Sequence, residues 1–355
     1  MPDPNEMMSN AMPGMPAQMP GAAGMQQNPM MQMMQMMQMM MGQTGAVPQM
    51  DPSAVPFSTG VAPAVDTDQG LDAGIIRPAR IANRIREQKA VPTGSVLDYL
   101  CLTDDGKNAL GGLPKGCTIA FAGPPGKGKT RTALAALARV AMAGEKVAFI
   151  VAEEGFHDET ESGRDDLCSR MTKIAMQVTG LSEADLEKKV LENFYVMECQ
   201  YHKGTSWDDF VSKYRFLVEK ENIRFVVIDS LNMLDPSRNR TADNLSALKT
   251  YNHSQGITCL CLGQIRDTGA PVGGEALQHT ADAVIMLEEV GMSSKEIAEQ
   301  WGAKYRDKID LMTCVKSVTT PKFDYPIRVT REASTGVLTI HEGQPADYAV
   351  PEVKG

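Results

Sequence analysis

The chain has 355 residues, of which 43% are hydrophobic and 22% charged, and carries a formal net charge of −9. That length holds one large domain or two small ones and supplies ample apolar material for a core. The acidic balance excludes a broad basic footprint, so any contact with nucleic acid has to come from local loops.

Residues 1–76 stand apart. They contain no Lys or Arg, six acidic residues and 17 of the 25 methionines, so the remainder of the chain is near neutral. Such a Met-, Pro- and Gln-rich segment buries too little surface to offset its ordering entropy, and a disordered tail is expected, suited to capture of a protein partner. The run MMQMMQMMQMMM at 30–41 is interrupted by Gln and too short to span a bilayer, and the N-terminus lacks the basic n-region of a signal peptide. No membrane partner is expected. Seven cysteines occur without a CxxC pair, which predicts reduced core thiols in a cytoplasmic protein and no zinc module.

Residues 77–91 turn abruptly basic and predict a linker helix. From 92 to 342 a single domain is expected, followed by a flexible tail at 343–355. Within the domain, apolar runs at 117–123, 146–152, 193–198, 224–229, 257–263 and 283–288 read as strands. Segments at 129–143, 165–179, 207–221 and 241–255 read as helices between them, and 293–304 as a helical insertion. Runs at 310–316, 325–330 and 336–340 predict closing antiparallel strands. Continuous apolar strands alternating with helices define an α/β fold, with a mostly parallel central sheet covered on both faces and a C-terminal antiparallel extension.

The first strand leads into Gly123-Pro124-Pro125-Gly126-Lys127-Gly128-Lys129-Thr130, a full match to GxxxxGK[ST] between a strand and a helix. Glycines let backbone N–H groups turn inward around phosphates, and the helix N-terminus adds partial positive charge. Lys129 is the residue expected to reach the β- and γ-phosphates, and Thr130 to ligate Mg²⁺; Arg131 follows at the edge of the nucleotide site. The run Arg224-Phe-Val-Val-Ile-Asp229 ends in a carboxylate at a strand terminus, the place where open α/β sheets bind ligands, and Asp229 is read as the second Mg²⁺ residue. Glu153-Glu154 ends another strand. On residue type alone the pair either orients and deprotonates a water or is a solvated acidic loop.

Together these features resemble the RecA superfamily of P-loop ATPases, and within it the RadA/Sms and KaiC-like branch. The resemblance also rests on Pro92-Thr93-Gly94-Ser95 with Gly111-Gly112-Leu113-Pro114-Lys115-Gly116, on Phe149 to Glu154, and on Ile228-Asp229-Ser230. Its most specific stretch runs from Gly263-Gln264 through Arg266 and Gly273-Gly274 to His279 and Asp282, similar to the second DNA-binding loop of RecA-type recombinases. The resemblance implies Glu153 as general base with Glu154 as its partner, and Gln264 as a sensor of the γ-phosphate. It also implies single-stranded DNA contacts through Arg238, Arg240 and Arg266, and a homo-oligomer, hexamer or filament, whose sites are completed across subunits. The branch's Lys-Asn-Arg-Phe-Gly motif falls at Lys316-Ser317-Val318-Thr319-Thr320: the Lys is kept, the Arg position is Val318, and Lys322 is the alternative cation. The implied function is Mg-ATP hydrolysis coupled to single-stranded DNA in recombination or repair. The alternative is a KaiC-like regulatory ATPase acting on protein partners.

Overall fold

A buried parallel strand must be apolar on both faces, and the central strands of this chain meet that condition. In the computed structural model, which describes residues 76–160, 163–200, 203–234, 241–265 and 279–353, the elements follow the expected alternation. In chain order they are β1 (Ala90–Val91), β2 (Leu113–Pro114), β3 (Thr118–Gly123), α1 (Lys129–Met142), β4 (Val147–Val151), α2 (Leu167–Thr179), α3 (Glu183–Lys189) and β5 (Phe194–Glu198). There follow α4 (Trp207–Glu219), β6 (Phe225–Asp229), α5 (Leu231–Leu234), α6 (Thr241–Gln255), β7 (Thr258–Gln264), β8 (Ala283–Gly291), α7 (Lys295–Gln300), β9 (Lys308–Ser317), β10 (Ile327–Arg331) and β11 (Leu338–Ile340).

Nine strands form one sheet in the order β11-β10-β9-β8-β3-β7-β6-β4-β5. From β8 to β5 neighbours run parallel; β9, β10 and β11 add antiparallel strands at the β8 side. Alternate residues of each strand serve opposite faces. Phe121, Phe149, Val227 and Leu262 pack with Leu134 and Leu137 of α1 and with Met171 and Ile174 of α2. Ala122, Ile150, Ile228 and Cys261 face Phe210 and Tyr214 of α4 and Leu245 and Leu248 of α6. Five buried alanines in α1 let that helix lie close on the sheet. All seven cysteines are free thiols, six of them buried. Among the described residues no helix is long and apolar enough to cross a membrane.

Two expectations are corrected. Residues 77–91 are not a helix: a three-residue 3₁₀ turn at Pro78–Arg80 gives way to irregular backbone, with Asn83 at a left-handed φ of 53°. The segment then ends in β1, paired antiparallel with β2. Val91 precedes Pro92, and a residue before proline is pushed from helical to extended backbone. Residues 343–353 are not a loose tail. Gln344 Nε2 donates to Pro326 O (3.0 Å) and Tyr348 O (2.7 Å), Tyr348 stacks on Tyr325 with centroids 5.0 Å apart, and Ala109 N–H donates to Glu352 O at 2.8 Å. The aromatic ring supplies the burial that the segment's sparse apolar content did not promise. The Met-rich segment lies outside the described residues apart from Ile76.

Candidate active site

Strand adjacency sets the site. β3, β7, β6 and β4 lie side by side, and at their C-terminal ends Gly123 pairs with Gln264 and Val151 with Asp229. Whatever follows these four strands meets at one edge of the sheet, so four stretches far apart in sequence share a cleft.

From β3 the chain turns through Gly126 and Gly128, both at left-handed φ (71° and 96°). A Cβ on Gly128 would lie 2.7 Å from the Gly336 carbonyl, so space as well as backbone angle requires glycine there. α1 then starts at Lys129 without a side-chain cap, which leaves its first-turn N–H groups to serve an anion. The buried Lys129 ammonium donates to Gly123 O (2.8 Å) and Pro124 O (2.7 Å), at the centre of the loop. Burial pushes its pKa down, against the nearby charges of Asp229 and Glu153. A cavity of about 220 Å³ opens here, lined by Lys129, Thr130, Glu154, Arg170 and Arg331 among others.

Thr130 Oγ1 donates to Asp229 Oδ2 at 2.7 Å, which brings together the two residues expected to hold Mg²⁺. Two hard oxygen donors beside a phosphate loop fit that ion, which takes one or two protein ligands and completes its octahedron with phosphate oxygens and water. The Asp229 carboxyl is pushed up to about 6, chiefly by loss of solvent and then by the Glu153 charge, with the Thr130 hydrogen bond opposing.

That shift gives a stability prediction. The proton is held more tightly in the folded state than at the ordinary 3.8, so stability falls as pH rises from about 4 to about 6 and stays lower above. The gap corresponds to a ceiling of roughly 3 kcal/mol. Asp229→Asn is therefore expected to melt higher than wild type at pH 8 without nucleotide or Mg²⁺, with the difference fading below pH 4. Calorimetry across pH checks this; a variant that melts lower at pH 8 contradicts it.

Glu153, two residues past the end of β4, is exposed. Its Oε1 accepts from Ser230 Oγ (2.8 Å) and Gln264 Nε2 (2.9 Å). These contacts link the ends of β4, β6 and β7 through one carboxylate oxygen. Ser230 had no role assigned from sequence; its position directly after the Asp229 strand is the only signal that could have found it. Glu154 lines the phosphate-loop cavity together with Arg170, whose Nη2 donates to its Oε2 at 2.6 Å, with Arg164 at 3.5 Å.

Arg131 and Lys127 line the same cavity, each held by a partner from the C-terminal part of the chain. Arg131 Nη1 donates to Thr335 O (2.8 Å), and Arg331 Nη1 to Gly126 O (2.9 Å), so the turn between β10 and β11 lies against the phosphate loop. Lys127 bonds to Asp310 and Glu289. β9 runs antiparallel to β8, so Lys316 pairs opposite Val284 at the start of β8, the end of the sheet remote from the chain's own phosphate loop. Its ammonium donates to His279 O at 2.7 Å. Lys322 pairs with Asp324. Arg238, Arg240 and Arg266 lie outside the described residues.

Fold and site together define a RecA-type P-loop ATPase. A family model described as "ATPase: KaiC" matches residues 91–308, and the chain belongs to that family. It is similar to Protein RecA of Frankia alni, 26% identical over 267 residues that cover 72% of this chain and 71% of the relative. It is also similar to the DNA repair and recombination protein RadB of Methanosphaera stadtmanae, 26% identical over 233 residues, 60% of this chain and 87% of the relative. A solved KaiC-like protein from Pyrococcus horikoshii OT3 shares the fold, with a TM-score of 0.51 at 18% identity over 72% of this chain and 99% of that one.

Proposed function

We propose that this protein hydrolyses Mg-ATP in the cleft between β3 and β4 and couples turnover to single-stranded DNA. The observation that carries the reading is the Gln264–Glu153 hydrogen bond. It joins the carboxylate proposed to activate water to the residue just before the 266–278 segment, so in this reading a change at the γ-phosphate is passed to that segment through one side chain.

In this reading the phosphate loop cradles the triphosphate and Lys129 turns from its carbonyl partners to the β- and γ-oxygens. Thr130 and Asp229 hold Mg²⁺, which neutralises phosphate charge when bound. Glu153 orients a water in line with the γ-phosphorus and takes its proton as the new P–O bond forms and ADP leaves with the bridging oxygen. Ser230 and Gln264 fix the carboxylate by occupying one oxygen, leaving Oε2 for the water. Lys316, remote from its own loop, is suited to act at a neighbouring subunit's site, and a homo-oligomer, ring or filament, follows from that.

DNA contact is assigned to Arg238, Arg240 and Arg266, with support from the name of the RadB relative, a DNA repair and recombination protein. Fluorescence anisotropy with a labelled oligonucleotide and a non-hydrolysable ATP analogue tests it. Wild type is expected to bind, and replacing all three arginines with Ala to weaken binding and flatten the salt slope by roughly 2, at about 0.7 per single-strand contact. Failure of wild type to bind at low salt overturns the DNA reading. In that case the alternative, a KaiC-like regulatory ATPase acting on protein partners, takes its place.

A further inference from the structure

Glu289 on β8 and Asp310 on β9 are direct cross-strand partners. Like charges opposite one another weaken a strand pair unless a cation lies between them. Here the cation comes from the phosphate loop. Lys127 Nζ bonds to Asp310 Oδ1 at 2.8 Å and to Glu289 Oε2, and Lys308 donates to the other Glu289 oxygen at 2.6 Å. The Lys127 and Asp310 side chains are only 19% and 16% exposed, which limits screening of their pair by solvent. Burial works against the Lys127 charge, yet its bonds to Asp310 and Glu289 raise its pKa; Lys127 and then Lys308 hold the Glu289 carboxyl down at about 2.

The phosphate loop needs such support. Residues 124–128 belong to no helix or strand, and left-handed glycines flank Lys127 on both sides. Arg331 grips the Gly126 carbonyl from β10, and the Gly336 carbonyl abuts Gly128. Lys127 ties the tip between them to β8 and β9.

We propose that Lys127 is a positioning residue, whose ammonium anchors the tip of the phosphate loop to the Glu289–Asp310 pair and sets the loop's shape for the triphosphate without itself binding phosphate. The inference rests on the ATP-site reading above. The competing arrangement is a switch, in which the carboxylates hold Lys127 back and release it to phosphate when nucleotide arrives.

The two differ in sign. We would measure affinity for a fluorescent non-hydrolysable ATP analogue with Mg²⁺ in four variants of the full chain: Lys127→Met, Lys127→Arg, the double Glu289→Gln/Asp310→Asn, and the triple combining Lys127→Met with that double. An anchor gives about fivefold weaker binding for Lys127→Met and for the carboxylate double, the scale of two partly shielded ion pairs. The triple is then no weaker than either, and Lys127→Arg stays near wild type. In the carboxylate double, turnover at saturating ATP stays within twofold of wild type while KM rises. Hydrogen exchange of the peptide covering residues 124–128 in nucleotide-free protein is faster in both Lys127→Met and the double. Tighter binding by the carboxylate double, additive losses in the triple, or unchanged exchange overturns the anchor. Should wild type bind no ATP at all, the ATP-site reading fails and the anchor stands or falls on the exchange rates alone.

Discussion

Glu153→Gln is expected to lower the ATPase kcat about 10²- to 10⁴-fold, the range assigned to a positioned general base, while leaving affinity for Mg-ATP within a few fold. The amide keeps the shape of the side chain and can still accept from Ser230 and Gln264, which both meet Oε1. What it loses is the capacity to take a proton. Glu154→Gln is expected to cost less, because that carboxylate is committed to Arg170 and Arg164 and its loss releases two arginines rather than a base. Steady-state phosphate release with parallel nucleotide binding checks both. Near wild-type turnover in Glu153→Gln with a dead Glu154→Gln would exchange the two roles.

Lys129→Ala is expected to weaken ATP binding by about 10²- to 10³-fold, the scale of truncating one partner of a buried charge pair. The ammonium is already buried and centred in the loop by Gly123 O and Pro124 O, so little reorganisation is required for it to meet phosphate. Removing it leaves two carbonyls facing a polyanion with no cation between them. A fluorescent-ATP titration with unchanged affinity would take Lys129 out of the site.

Much of this arrangement was legible in the sequence, for reasons that can be named. The central strands announce themselves because burial on both faces forces unbroken apolar runs, and β6 ends where the run meets Asp229. The phosphate-loop motif is legible because its turn needs glycine at particular places, and Gly126 and Gly128 adopt left-handed φ there. Contacts between distant segments were not legible. Ser230 and Gln264 lie 77 and 111 residues from Glu153, and no local pattern states that they share one of its oxygens. Lys127 is similar: inside a phosphate-binding motif, a lysine reads as a phosphate ligand, yet its partners are 162 and 183 residues away on β8 and β9.

Local signals also failed where a competing effect was stronger. The basic stretch at 77–91 has helical composition, but Pro92 biases Val91 to extended backbone and β2 offers it a partner. The short helix α3 was missed although Ser182 caps it through Asp185 N–H. Seven residues with one buried side chain, Leu186, carry too little periodicity to stand out.

The most direct test of the central claim, that this cleft binds and hydrolyses Mg-ATP, is a time course of inorganic phosphate release from γ-labelled ATP by the full chain. It would be run with Mg²⁺ and again with excess chelator. Release that continues over multiple turnovers with Mg²⁺ and stops with chelator is the expected result; no release, or release indifferent to the chelator, would contradict it.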